Sequence, residues 1–138
     1  MNEIESLLPH RAPFLFVDDI VEADKEKIIA RHVFSEKEFF FAGHFPQYPV
    51  VPGVILVETM AQSGGAGLRK LGILGDDALF FLASVDKVKF RRQIRPGDEV
   101  RSEIVNLRIS AKMIKQAGKA YVGEELAAEA EWLCLVGS

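Results

Sequence analysis

The run GVILVETMAQSGGAGL, residues 53–68, holds a single ionisable side chain, Glu58. A carboxylate inside an apolar segment of helix length is costly to bury unless it is paired, hydrogen-bonded or neutral. Desolvation pushes it towards the protonated form, which suits a proton donor. Just before it lies GHFPQYPVVPG, residues 43–53, a proline-punctuated loop that carries His44. Imidazole titrates close to neutral pH and serves as a base. An acid held neutral beside a histidine base reads as acid–base chemistry on a greasy substrate. Blander readings are a loop histidine bonded to backbone, and a structural carboxylate paired with Gln62 or with a buried arginine such as Arg69.

These groups need a frame. Residues 53–71 are expected to form a central helix, with Pro52 at its entry, where a missing N–H does no harm. Its apolar positions run almost all the way round, so protein should surround it. Glu58 lies about 7.5 Å along the axis from Gly53 and leans back towards that end. Gln62 stands one turn further on the same face, where its amide can orient the carboxyl. The N–H groups of Gly53 and Val54 lack intrahelical partners, and the helix dipole favours negative charge there. Gly53 also lets a ligand approach closely, whereas Gly64, Gly65 and Gly67 read as close-packing positions. Pro46, Pro49 and Pro52 recur every third residue, which restricts Phe45, Tyr48 and Val51 to extended conformations and stiffens the His44 loop.

Around the helix, residues 2–8 fit a short amphipathic helix ending before Pro9. Residues 13–22 and 27–34 read as strands joined by a hairpin turn at Ala23–Glu26, and 36–53 as an ordered loop. After a Gly/Asp turn at 72–77, strands are expected at 78–91, 98–109, 112–122 and 124–136, with RPGDE at 95–99 and Gly123–Glu124 as turns. The expectation is one α+β domain over residues 1–138, a mostly antiparallel sheet wrapped around one long helix. All ten phenylalanines precede position 91, which fits either an uneven core or an acyl-lined cavity.

The net charge of −3 gives no nucleic-acid footprint, and the single Cys134 excludes an internal disulfide. No Cys/His cluster has metal-ligand spacing, and no Rossmann, P-loop or flavin motif appears, so neither metal nor cofactor is expected. The start, MNEIESLLPHR, has acids where a secretory leader has basic residues. No apolar run is clean enough to span a bilayer, so a cytosolic location is expected. Lys87, Lys89, Arg91, Arg92 and Arg95 form a cationic stretch in an acidic chain. It is either a docking patch for an acidic partner or a charge-protected edge strand. His10 and His32 are expected at the surface or in an interface.

The stretch GHFPQYPVVPGVILVETMAQ, residues 43–62, resembles the signature of the FabZ-type β-hydroxyacyl-[acyl carrier protein] dehydratases. LPHRAPFLFVD, FLASVDKVKFRRQIRPGDEV and GKAYVGEELAAEAE match the same family in order, so the resemblance covers nearly the whole chain. Gln47 and Tyr48 depart from the family's usual loop. The resemblance implies the hot-dog fold and a homodimer, often a trimer of dimers, with the histidine of one subunit facing the glutamate of the other. It implies removal of water from a (3R)-3-hydroxyacyl thioester to give the trans-2-enoyl thioester, without a cofactor. His44 would be the base, Glu58 the acid, Gly53 and Val54 the thioester-oxygen donors and Gln62 the orienting group. Acyl carrier protein would be the partner, with Arg91, Arg92 and Arg95 as docking candidates. Glu58 favours the plain dehydratase over the FabA-type dehydratase/isomerase, which usually has aspartate there. The His44 loop argues against a hot-dog thioesterase, and the presence of both motif residues argues against a non-catalytic acyl-binding module.

Overall fold

The computed structural model describes residues 2–137. Helix α1 spans Glu3–Leu7, held by a reciprocal cap in which Asn2 accepts from the Glu5 N–H and Glu5 reaches back to the Asn2 N–H. Strands β1 (Asp19–Ala23) and β2 (Lys27–Val33) follow, then a 3-10 turn at Phe39–Ala42 and helix α2 at Gly53–Lys70. Strands β3 (Leu79–Phe90), β4 (Glu99–Ile109), β5 (Met113–Val122) and β6 (Glu125–Gly137) complete the chain.

The six strands form one antiparallel sheet in the order β1-β2-β4-β5-β6-β3. Helix α2 packs against it, as its nearly continuous apolar surface requires, and all its residues from Ile55 to Arg69 except Glu58 are buried. Gly64, Gly65 and Gly67 permit that approach: a Cβ at each would meet the side chains of Gln116, Phe80 and Ile28 at 2.1, 2.2 and 2.5 Å. The core closes around Met60 and Leu68 of the helix and Phe16, Ile28, Phe34, Ile94, Ile104 and Trp132 around them. Among the described residues no helix is long and apolar enough to cross a membrane.

The later strands and the RPGDE turn fall where the sequence puts them. Gly97 takes φ 93° after Pro96, and the Asp98 N–H closes the turn onto the Arg95 carbonyl at 3.0 Å. Strand β1 is shorter than expected, because residues 13–17 are not part of the ladder, which begins where the Asp18 N–H donates to Arg31 O at 2.8 Å. The Phe16 N–H donates to Gln62 Oε1 at 2.8 Å, so a helix side chain takes the bond a strand partner would have made. Four of the early phenylalanines pack on one another: Phe16 lies 5.0, 6.3 and 6.1 Å from Phe14, Phe34 and Phe40. That favours the uneven-core reading for this group.

Candidate active site

His44 is delivered by a short, well-anchored segment. Phe40 and Phe41 are buried, and the N–H groups of Gly43 and His44 both return to the Phe40 carbonyl, at 3.3 and 3.0 Å. On the far side the Val51 N–H donates to Ile94 O at 2.8 Å. Between these anchors His44 Nδ1 donates to the Val50 carbonyl at 3.0 Å. An Nδ1–H committed to a carbonyl leaves Nε2 with its lone pair, the tautomer a base needs.

One expectation about this loop is overturned. Phe45 is not extended but left-handed, with φ 53°. The reason is the tight turn that Tyr48 N closes onto Phe45 O at 2.8 Å, which also stacks the Phe45 ring 4.6 Å from that of His44. Tyr48 then braces the loop against the segment after β3. Its hydroxyl donates to Gln93 Oε1 at 3.0 Å, and the Arg95 guanidinium lies 4.0 Å from its ring centroid.

Beside His44 lies a cavity of about 400 Å³, lined also by Gly53, Leu56, Phe90, Arg91 and Arg92. The first turn of α2 and the imidazole therefore line the same cavity. Ile55 and Leu56 N–H groups bond to Pro52 O at 3.0 and 3.3 Å, whereas those of Gly53 and Val54 have no backbone acceptor among the described residues. The close approach at Gly53 is made by protein as well: a Cβ there would lie 2.6 Å from the Phe90 ring.

Glu58 is half-buried on α2. Burial raises its carboxyl above the ordinary range, and the bond from Gln62 only partly opposes that. Gln62 is buried and uses its whole amide: Oε1 accepts from Phe16 N, while Nε2 donates to Phe14 O at 3.2 Å and to Glu58 Oε2 at 2.9 Å. Arg69 does not pair with Glu58, because its guanidinium donates to the carbonyls of Asp76 and Ala78 at 2.6 and 2.5 Å.

Within one chain His44 and Glu58 do not pair. His44 is engaged by Val50 and Phe45, and Glu58 by Gln62 and by His10, whose Nε2 stands 3.6 Å from Glu58 Oε2. The cationic stretch is laced with acids: Lys87 meets Glu131 at 3.3 Å, Arg91 meets Glu129 at 2.8 Å and Arg92 meets Glu125 at 3.4 Å. Arg91 and Arg92 still line the His44 cavity, while Arg95 is turned onto Tyr48.

Of the two histidines expected at the surface or in an interface, His10 is half-buried and His32 is buried within the chain. His10 packs against Glu58, a contact that no spacing in the sequence reveals. His32 is buried between two carboxylates, with Nδ1 2.8 Å from Asp18 Oδ1 and Nε2 3.2 Å from Glu38 Oε2. Burial opposes its charge, but the bonds and charges of Asp18 and Glu38 outweigh it and raise it to about 9. Here the sequence carried a clue, since Ile28, Ala30, His32 and Phe34 alternate along the inward face of β2 and just beyond it.

Residues 8–131 match a FabA-like domain. The 3-hydroxyacyl-[acyl-carrier-protein] dehydratase FabZ of Desulforamulus reducens is 45% identical over 139 residues, covering 99% of this chain and 96% of the relative. The protein of the same name from Moorella thermoacetica is 44% identical over 138 residues, covering 99% and 95%. Among solved structures, the dehydratase heterocomplex ApeI:P from Xenorhabdus doucetiae superposes with a TM-score of 0.85 at 17% identity, over 100% of this chain and 93% of that one. The PaaI protein of the E. coli phenylacetic acid degradation operon gives 0.65 at 11% identity, over 85% and 81%. At such identities these two likenesses establish the hot-dog fold alone.

Proposed function

The chain belongs to the FabA-like domain family, among the FabZ-type 3-hydroxyacyl-[acyl-carrier-protein] dehydratases, and from that premise we propose how its own residues carry out the dehydration. The substrate is a (3R)-3-hydroxyacyl group tethered to acyl carrier protein, and the product is the trans-2-enoyl thioester. His44 Nε2 takes a proton from C2. Glu58 gives its proton to the C3 hydroxyl, the C3–O bond breaks and water leaves. The electron pair of the broken C2–H bond becomes the second bond between C2 and C3. The thioester oxygen, on which charge develops, is met by the N–H groups of Gly53 and Val54. Leu56 and Phe90 give the cavity apolar walls, and Arg91 and Arg92 at its edge suit the phosphate of a carrier-protein arm.

The observation that carries this reading is the Nδ1 bond from His44 to Val50, which leaves Nε2 as a base in the cavity that also exposes the first turn of α2. The missing acid comes from a second copy of the chain. Strand β3 ends the sheet, and along it Phe81 is 59% exposed, with Leu82, Val85 and Val88 exposed as well. A long apolar edge of this kind fits pairing with its own copy about a two-fold axis. The working unit in this reading is a homodimer acting in the cytosol on acyl carrier protein. Arg91, Arg92 and Arg95 are the docking candidates.

A hydration assay run in reverse tests the class. With crotonoyl and longer trans-2-enoyl thioesters, loss of enoyl absorbance with formation of the 3-hydroxyacyl thioester is expected. Release of free thiol from acyl thioesters without hydration would instead point to a thioesterase. Movement of the double bond in a trans-2-decenoyl thioester would point to the dehydratase/isomerase.

A further inference from the structure

Glu58 Oε2 is crowded by nitrogen. Gln62 Nε2 donates to it at 2.9 Å, and His10 Nε2 lies 3.6 Å from the same oxygen. Arg11 fixes the His10 backbone by donating to the Leu8 and His10 carbonyls at 2.7 and 2.6 Å, and the His10 ring sits 5.9 Å from Phe80. His10 Nδ1 is buried without a hydrogen-bond partner among the described residues. A neutral imidazole has one N–H. On Nδ1 it would be an orphaned buried donor, and a nitrogen lone pair would face Oε2. On Nε2 it points at the carboxyl, which is the better-satisfied arrangement.

We propose that His10 is a positioning residue: together with Gln62 it keeps Oε2 as the accepting oxygen of Glu58, so that the proton delivered to the departing hydroxyl rides on Oε1. This rests on Glu58 being the acid of the dehydration. In that step the Oε1–H bond breaks towards the C3 oxygen, the C3–O bond breaks as water leaves, and the C2 proton ends on His44. At 3.6 Å the His10 Nε2–H lies beyond hydrogen-bond range and acts on Oε2 as a nearby dipole, beside the direct bond from Gln62.

The titratable groups around the carboxyl are His10 from the N-terminal segment and Cys134 from β6, with Arg11 acting on His10. Burial, reinforced by Arg11, lowers the His10 ring below its ordinary range, so it is neutral at neutral pH. Burial and the Glu58 charge push the Cys134 thiol up to about 12, so it stays protonated. Neither supplies a competing charge.

His10→Gln and His10→Asn separate the roles, because a glutamine amide nitrogen falls where Nε2 lies and that of asparagine falls where Nδ1 lies. His10→Gln should keep kcat within about threefold of the parent. His10→Asn should lose about tenfold in kcat with KM nearly unchanged, a fraction of what the acid itself contributes. The limb of the kcat–pH profile set by Glu58 ionisation should move to higher pH in His10→Asn and stay in place in His10→Gln, since only the former loses an N–H that favours the carboxylate. Two variants alike in kcat and in that limb, whether active or impaired, overturn the proposal. Glu58→Gln in the same assay tests the reading beneath it. If Glu58→Gln is inactive and the amide variants are alike, only the role of His10 fails. If Glu58→Gln is active, the assignment of the acid fails.

Discussion

His32→Gln tests whether a buried charge holds the His44 loop in place. In the folded protein the imidazolium is clasped by Asp18 and Glu38, and Glu38 immediately precedes the 3-10 turn that leads to His44. The group rises from 6.5 to about 9 on folding. At about 1.4 kcal/mol per pH unit, this clasp contributes about 3 kcal/mol to stability. A raised folded value means that the contribution is complete below pH 6.5 and is lost as pH rises through about 9. Denaturant unfolding at fixed protein concentration, in steps from pH 6 to 9, reads it as the difference between parent and variant. The parent should lead by about 3 kcal/mol at the acidic end, with the gap closing towards pH 9. Turnover of the parent should also fall across that window as the loop loosens. A gap that stays constant or widens with pH would refute the charged clasp.

Other substitutions probe the supports of the two catalytic candidates. Gln62→Leu removes the donor to Glu58 and leaves Phe16 N and Phe14 O unpaired, so about 3 kcal/mol of stability and at least tenfold in kcat should go, read by unfolding and steady-state kinetics. Tyr48→Ala loses the Arg95 stack and the Gln93 bond, and should cost under about 1.5 kcal/mol while lowering kcat several-fold by loosening the His44 loop. Gly67→Ala puts a methyl 2.5 Å from Ile28, so despite better helix propensity it should lower stability by about 1 kcal/mol in thermal unfolding.

The central helix and four later strands were legible because proline, glycine and hydrophobic period agreed on their ends. Residues 13–17 read as strand for a physical reason: they are β-formers, but the Phe16 N–H is taken by Gln62 from a helix 46 residues away. The left-handed turn at Phe45 was hidden likewise, since the prolines pointed to extended backbone while closure by Tyr48 N required otherwise. Glu58 and His44 were legible by type, as an isolated acid and a proline-framed histidine. The nitrogen beside the acid was not. His10 belongs to a separate segment, and the sequence offers no periodicity that links it to α2.

Mixing His44→Ala and Glu58→Gln chains tests the shared site directly. Each homodimer alone should fall by about 10² or more in turnover. After the two are unfolded together and refolded, half the dimers should be mixed, and each of those should hold one site with an intact His44 from one chain and an intact Glu58 from the other. Activity should return to about one quarter of the parent's, the share expected for random pairing about a two-fold axis. If the mixed preparation stays as inactive as its components, the two residues do not act across subunits.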